Sequence, residues 1–186
     1  MFPRQLYNNF LRQNALKRDV RGVSIIEILF VITIITVGLA GILALASLSL
    51  ISSSIAKQTI EAGALAQDTM EAVRNHRDGV PWNDDDPADE YDGLGFVSTG
   101  VAHPYHSELS GDIPPRWKLV SGTETLNGFT RQIVFDDVRR DINDDIVESG
   151  GVDDPDTKKV TVTVSWQERD RARQVEIVTY LTNWNE

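Results

Sequence analysis

The residue whose chemistry is hardest to ignore is Glu27. It is the fifth residue after Gly22 and stands at the mouth of a run with no charged residue from Ile28 to Ala56. A carboxylate in an apolar membrane-type segment is costly and needs a cation or hydrogen-bond donors as a partner. Two readings follow. Glu27 marks a pairing site, or it lies at a membrane–water boundary with its head group in water.

Further along, Asp141, Asn143 and Asp145 have the one-three-five spacing of a calcium-binding EF-hand loop. The sixth position holds Ile146 where that loop needs Gly, and the twelfth holds Val152 where it needs Glu, so the loop is not an EF-hand. Two readings stay open for this stretch: an irregular calcium site including Asp144, Asp153, Asp154 or Asp156, and a solvated acidic hairpin loop. The acidic segment "NDDDPADEYD" from Asn83 reads the same way. His103 and His106 flank Pro104 and Tyr105 with no third ligand marked, which reads as surface-loop histidines. His76, near the end of a helical stretch, suits the negative pole of that helix. No G-x-S-x-G, Walker loop, H-E-x-x-H or paired catalytic signature occurs, so the sequence reads as no enzyme, and it calls for no cofactor and no defined metal site.

The charge is lopsided. Residues 1–22 hold Arg4, Arg12, Lys17, Arg18 and Arg21 against Asp19 alone, in a chain of net charge −10. The body is therefore strongly acidic, which argues against nucleic acid as its partner. There is no cysteine, hence no disulfide, thiol catalysis or Cys-based zinc site.

The uncharged run is 29 residues long. As a helix it would reach about 43 Å, against about 30 Å of hydrocarbon in a bilayer. It is too long for the core of a secretory signal peptide. Gly38, Gly41, Ala44 and Ala46 offer small surfaces to a neighbouring helix. Basic residues before the run and acidic ones after it orient a single span with its N-terminus in the cytoplasm and its body exported. Ser24 is placed to cap the helix.

Beyond the run, Ile51, Ile55, Ala62, Leu65, Ala66, Met70 and Val73 recur at helical spacing, and Gly79 and Pro81 end the pattern. The chain predicts one helix over about 24–77. Residues 78–115 read as a loop region rich in Gly, Pro and Asp, with a brief strand over 96–101. The remainder alternates with period two. Val160, Val162, Val164 and Trp166 share one face, as do Val175, Ile177, Thr179 and Leu181. Phe129, Ile133 and Phe135 form a third set and Trp117 with Leu119 a fourth, while "QERDRARQ" reads as a polar hairpin connection. The fold class is α+β, a long N-terminal hydrophobic helix packed against a four-stranded antiparallel sheet.

The order of basic leader, Arg21-Gly22, Val23-Ser24-Ile25-Ile26-Glu27 and an unbroken apolar stretch resembles the class III signal of type IV prepilins and type II secretion pseudopilins. The resemblance covers roughly residues 17–50. It implies that a prepilin peptidase removes the leader 1–22 by cutting after Gly22 and methylates the new N-terminus, Val23. The helix 23–77 would then serve, over about 24–50, first as membrane anchor and then as filament core. Residues 78–186 would form an exported head, with the loop region 78–115 and the sheet 116–186. The resemblance also gives Glu27 a partner, the Val23 amine of a neighbouring subunit, and makes it a register device. Other pilin or pseudopilin subunits and the inner-membrane platform of the assembly machine are the implied partners. Val23 stands where the family most often has Phe or Met, and residues 23–56 lack the Pro that kinks many pilin helices. The small-residue helix resembles minor pilins of the pilus-modification type and minor pseudopilins. The alternative is a single-pass membrane-anchored protein with an exported binding or adhesion domain, in which Glu27 has no special part.

Overall fold

The computed structural model describes residues 22–85, 87 and 91–184. The leader residues 1–21 lie outside the described residues, as do Asp86, Asp89 and Glu90 of the first acidic segment. Contacts divide the chain into two compact units, Met1–Leu50 and Ile51–Glu186.

In the first unit the described chain is almost wholly helical, because α1 begins at Ile25 and runs to Gly79. The described residues up to Leu50 are exposed, Ile25, Phe30 and Leu43 among them. A helix apolar on every side and unburied in its own chain has the character of a membrane span. Its hydroxyls are satisfied locally. Thr33 Oγ1 donates to the Leu29 carbonyl at 2.8 Å, Thr36 to Ile32 at 2.9 Å and Ser47 to Leu43 at 2.9 Å. These side chains thus have their hydrogen bonds already made, as an apolar surrounding would require.

The second unit is α+β, and it buries the expected helical stripe from Ala62 onward, whereas Ile51 and Ile55 are only half-buried. Ala62, Ala66, Met70 and Val73 join the core, with Leu65 packed beside it. Ala62 and Ala66 are fully buried. What they cover is an antiparallel sheet. Its strands are β1 (Tyr105–Leu109), β2 (Trp117–Ser121), β3 (Glu124–Leu126), β4 (Phe129–Arg140), β5 (Ile146–Val147), β6 (Val152–Glu168) and β7 (Arg171–Thr182). The order is β2-β1-β4-β6-β7, with β3 and β5 also pairing with β4. Phe129 lies opposite Trp166, Ile133 opposite Val162, and Phe135 opposite Val160, while Val162 in turn faces Ile177 on β7. The period-two faces read from the sequence therefore meet as one apolar layer.

Among the described residues the sheet has seven strands rather than four. β1, β3 and β5 escape a pattern search because they are short and lack apolar alternation; β1 reads Tyr-His-Ser-Glu-Leu. The 96–101 segment is turn and bend rather than strand, and the strand of the loop region is β1 instead. The connection between β6 and β7 is also tighter than expected. Only Arg169 and Asp170 form the turn, and Glu168 already pairs with Arg171. Residues 152–156, expected in a loop, open β6. The register of β4 on β6 breaks between Asp137 and Val138, where Asp137 pairs with Lys158 but Val138 with Asp154. Pro155 sits in the skipped stretch, where a residue without an N–H can be housed in a strand.

The loop region does more than display surface. Val80, Trp82, Leu94 and Val97 are buried, and Trp82 Nε1 donates to the Pro155 carbonyl at 3.1 Å. Two strips of this loop lie against each other through Gly93 N to Asp84 O at 2.7 Å and Gly95 N to Trp82 O at 2.9 Å. A Cβ on Gly93 would lie 2.2 Å from the carbonyl oxygens of Pro81 and Trp82, so only glycine permits this approach.

Candidate functional site

The sequence-defined site falls on the start of α1. Gly22, Val23 and Ser24 precede the helix as exposed, non-helical chain. The Ser24 carbonyl accepts from Glu27 N at 3.0 Å and Ile28 N at 3.2 Å, so Ser24 holds the cap position through its backbone. Glu27 therefore falls in the first turn, where a carboxylate is favoured by the positive end of the helix dipole. Its side chain is exposed and has no ion-pair partner among the described residues. Gly22 has open space around it, with nothing within 4 Å of an added Cβ. Gly38 and Gly41 are equally open, so the small-residue patches are available to a second helix.

The acidic stretch from Asp136 to Asp156 turns its carboxylates to other work. Asp141 Oδ1 accepts from Asn143 N at 2.8 Å and Asp145 N at 3.0 Å, closing the tight connection between β4 and β5. Those backbone donors hold its carboxyl below the usual carboxylate range. Asp153 pairs with Arg139 at 2.7 Å and Asp154 with Arg140 at 2.6 Å, both across the β4–β6 ladder. Burial pushes Asp154 up, but the hydrogen bonds from Arg140, Thr157 and the Asp156 N–H outweigh it and the net shift is downward. Asp156 Oδ1 accepts from Asn183 at 3.0 Å. Asp137 takes a 2.6 Å bond from the buried Lys158 amine, which lowers its carboxyl. Among the described residues no three of His, Cys, Asp and Glu come together as a metal group. The arrangement is a set of cross-strand ion pairs and turn caps.

The histidines separate. His106 Nδ1 lies 3.3 Å from the Gly122 carbonyl and Nε2 3.3 Å from Glu108 Oε1. His103 instead lines a cleft of about 480 Å³ with Asp85, Asp92 and Tyr105. His76 lies in the last turn of α1, as expected, and is buried there. Its Nδ1 lies 3.2 Å from the Trp117 carbonyl and its Nε2 3.1 Å from the Asp92 carbonyl. It therefore ties α1 to both β2 and the loop region. The sign in the sequence was its position three residues after Val73, on the buried stripe.

Sequence reasoning missed Arg131. Its side chain lies on the inner face of β4 and is buried, pairing with Glu124 of β3. Nη2 also donates to the Ser107 carbonyl at 2.8 Å, and Nη1 approaches Thr69 Oγ1 of α1 at 3.5 Å. The parity was visible, since 131 falls between Phe129 and Ile133 on the same face. The charge hid it.

The architecture is consistent with a pilin-like fold, a long apolar N-terminal helix carried into an antiparallel sheet. Comparisons with protein-family models, with curated proteins and with solved structures gave no significant match.

Proposed function

We propose that this chain is a structural subunit of a type IV pilus or type II secretion pseudopilus, of the minor pilin or minor pseudopilin kind. In this reading a prepilin peptidase cuts after Gly22 and methylates Val23. Until assembly the subunit rests in the inner membrane as a single span with its N-terminus in the cytoplasm. It then enters a periplasmic or extracellular filament. The apolar helices bundle as the filament core, in contact with other subunits and with the membrane platform that assembles them. The acidic heads face outward, and the role is structural, not catalytic.

The observation that carries this reading is the placement of Glu27. It sits in the first turn of a 55-residue helix, five residues after Gly22, exposed within its own chain and without an ion-pair partner among the described residues. An unpaired carboxylate entering a membrane needs a cation from elsewhere. The Val23 amine of a neighbour, freed by cleavage, supplies one. Because that amine and Glu27 are only four residues apart along one helix, pairing them between chains selects one axial offset. The test is co-expression with a prepilin peptidase, with Gly22→Ala and Glu27→Ala chains in parallel. Gly22→Ala should stay unprocessed. Glu27→Ala should be processed yet enter filaments poorly. Full-length chains that function unprocessed would favour the membrane-anchored binding module instead.

A further inference from the structure

The turn joining β6 to β7 carries Arg169 and Asp170, with Arg171 and Arg173 just beyond. These residues and Glu168 line a cleft of about 300 Å³ with Ile51 and Ile55 of α1. Ile51 and Ile55 belong to the uncharged run, which ends at Ala56 with Lys57 as its first charge. The hairpin tip thus lies beside the last two turns of the apolar stretch.

Bilayer dimensions say what that neighbourhood is. About 30 Å of hydrocarbon takes about 20 helical residues at roughly 1.5 Å each. Counted from Ile28, the hydrocarbon ends near Ser47. The headgroup layer, about 5–8 Å on that side, covers the next four or five residues or so. Ile51 falls in it. The hairpin tip is then level with phosphates.

Its charge fits them on balance, since Glu168 and Asp170 stand against Arg169, Arg171 and Arg173 for a net charge of +1. Arg173 is tied to Glu168 at 3.1 Å, but Arg169 and Arg171 are exposed and have no ion-pair partner among the described residues. Other cations of this acidic unit are engaged with carboxylates: Arg131 with Glu124, Arg139 with Asp153, Arg140 with Asp154 and Lys158 with Asp137. Exposed Lys57 adds a cation on the helix at the same end.

We propose that the hairpin Glu168–Arg173 is a membrane-surface contact, in which Arg169 and Arg171 engage the phosphates of anionic phospholipids. Guanidinium groups suit this because their paired donors match two phosphate oxygens. The contact would hold the head against the bilayer of the subunit before assembly. It rests on the reading of the run as a membrane span.

The absence of cysteine makes the test direct. The full-length chain, with a spin label on Ala172→Cys, is reconstituted in phosphatidylcholine vesicles with and without phosphatidylglycerol, and nickel-chelating lipid reports headgroup proximity. The ratio of docked to free label should rise roughly five-fold in anionic vesicles, about five-fold for each arginine with Asp170 offsetting one of the two. Arg169→Gln with Arg171→Gln should abolish the rise, and salt should weaken it. A docked population indifferent to lipid charge overturns the proposal. So does one that depends on protein density alone, which would assign the arginines to a neighbouring chain. A second label, on Leu39→Cys, reports hydrocarbon depth. If it is buried in lipid while the hairpin ignores lipid charge, the span reading stands and the hairpin contact falls; if it is in water, both fall.

Discussion

Arg131 Nη2 on β4 donates to the Ser107 carbonyl oxygen on β1 at 2.8 Å. Backbone pairing between these strands is confined to one pair, Tyr105 with Ile133, and the arginine adds a side-chain tie there beside the contact of the Tyr105 ring with Phe135. The same guanidinium pairs with Glu124 of β3 and approaches Thr69 of α1. A charged group can be kept on an otherwise apolar face only because its donors are met there.

The two sides of this pair should therefore be energetically coupled. Glu124→Gln should destabilise the protein by about 2–3 kcal/mol, less than a fully buried pair because Glu124 is partly exposed. Arg131→Met combined with Glu124→Leu should cost less than the two single changes added together. Thermal unfolding followed by tryptophan fluorescence in detergent, as a double-mutant cycle, measures the difference.

The close approach of the two loop strips predicts an intolerance to volume. Gly93→Ala would put a methyl against the backbone carbonyls of Pro81 and Trp82, neither of which is a flexible side-chain end. A loss of about 2 kcal/mol or more is expected. Faster hydrogen exchange of the Gly93 and Gly95 amides would locate it. Gly111→Ala, at an open position, should be close to neutral by the same measurement.

Acid should weaken the sheet through its cross-strand pairs. Asp137 is lowered by the Lys158 bond, and Asp154 is lowered on balance despite its burial. For a carboxylate depressed on folding, the stabilisation is full above the unfolded value of about 4 and is lost as pH falls through the folded one. Stability should hold at neutral pH and drop below about pH 4. Asp137→Asn and Asp154→Asn should each lower stability at neutral pH and flatten this acid limb. Unfolding midpoints across that range give the slope.

Assembly should depend on the anion at the head of the helix. Glu27→Ala should be cleaved at close to the native rate, since the scissile Gly22 and the basic leader are untouched. Incorporation into filaments should fall by at least about ten-fold, because the neighbour's amine loses its partner in an apolar setting. Sheared filaments quantified by immunoblot, against total processed protein, measure the ratio.

The legible parts of this molecule are those where one physical term dominates. Hydrophobic burial alone sets the stripe from Ala62 to Val73 and the alternation of Val160, Val162, Val164 and Trp166, and both stand as read, while Ile51 and Ile55 at the head of the stripe are only half-buried and lie outside the core. The helix end at Gly79 and the uncharged run follow from chemistry just as local. The hidden parts are those where a tertiary partner overrides a residue's own preference. Arg131 and His76 are polar residues made acceptable by acceptors on other elements, Glu124 and Ser107 for one, Trp117 and Asp92 for the other. β1 earns its place by pairing with β2, not by its own pattern. The acidic stretch was half-legible, since its charge invited a ligand while the strand pairing gave its carboxylates arginines. For the helix start, the parts given to Gly22, Val23 and Glu27 rest on the resemblance to prepilins, because their proposed partners are in other molecules.

The most direct measurement is the intact mass and N-terminal residue of the protein recovered from membranes of cells that also make a prepilin peptidase. The account predicts a chain that begins at Val23, has lost residues 1–22 and carries one added methyl group on its amine. A chain that still begins at Met1, with its basic leader attached, and that nonetheless assembles into filaments would contradict it.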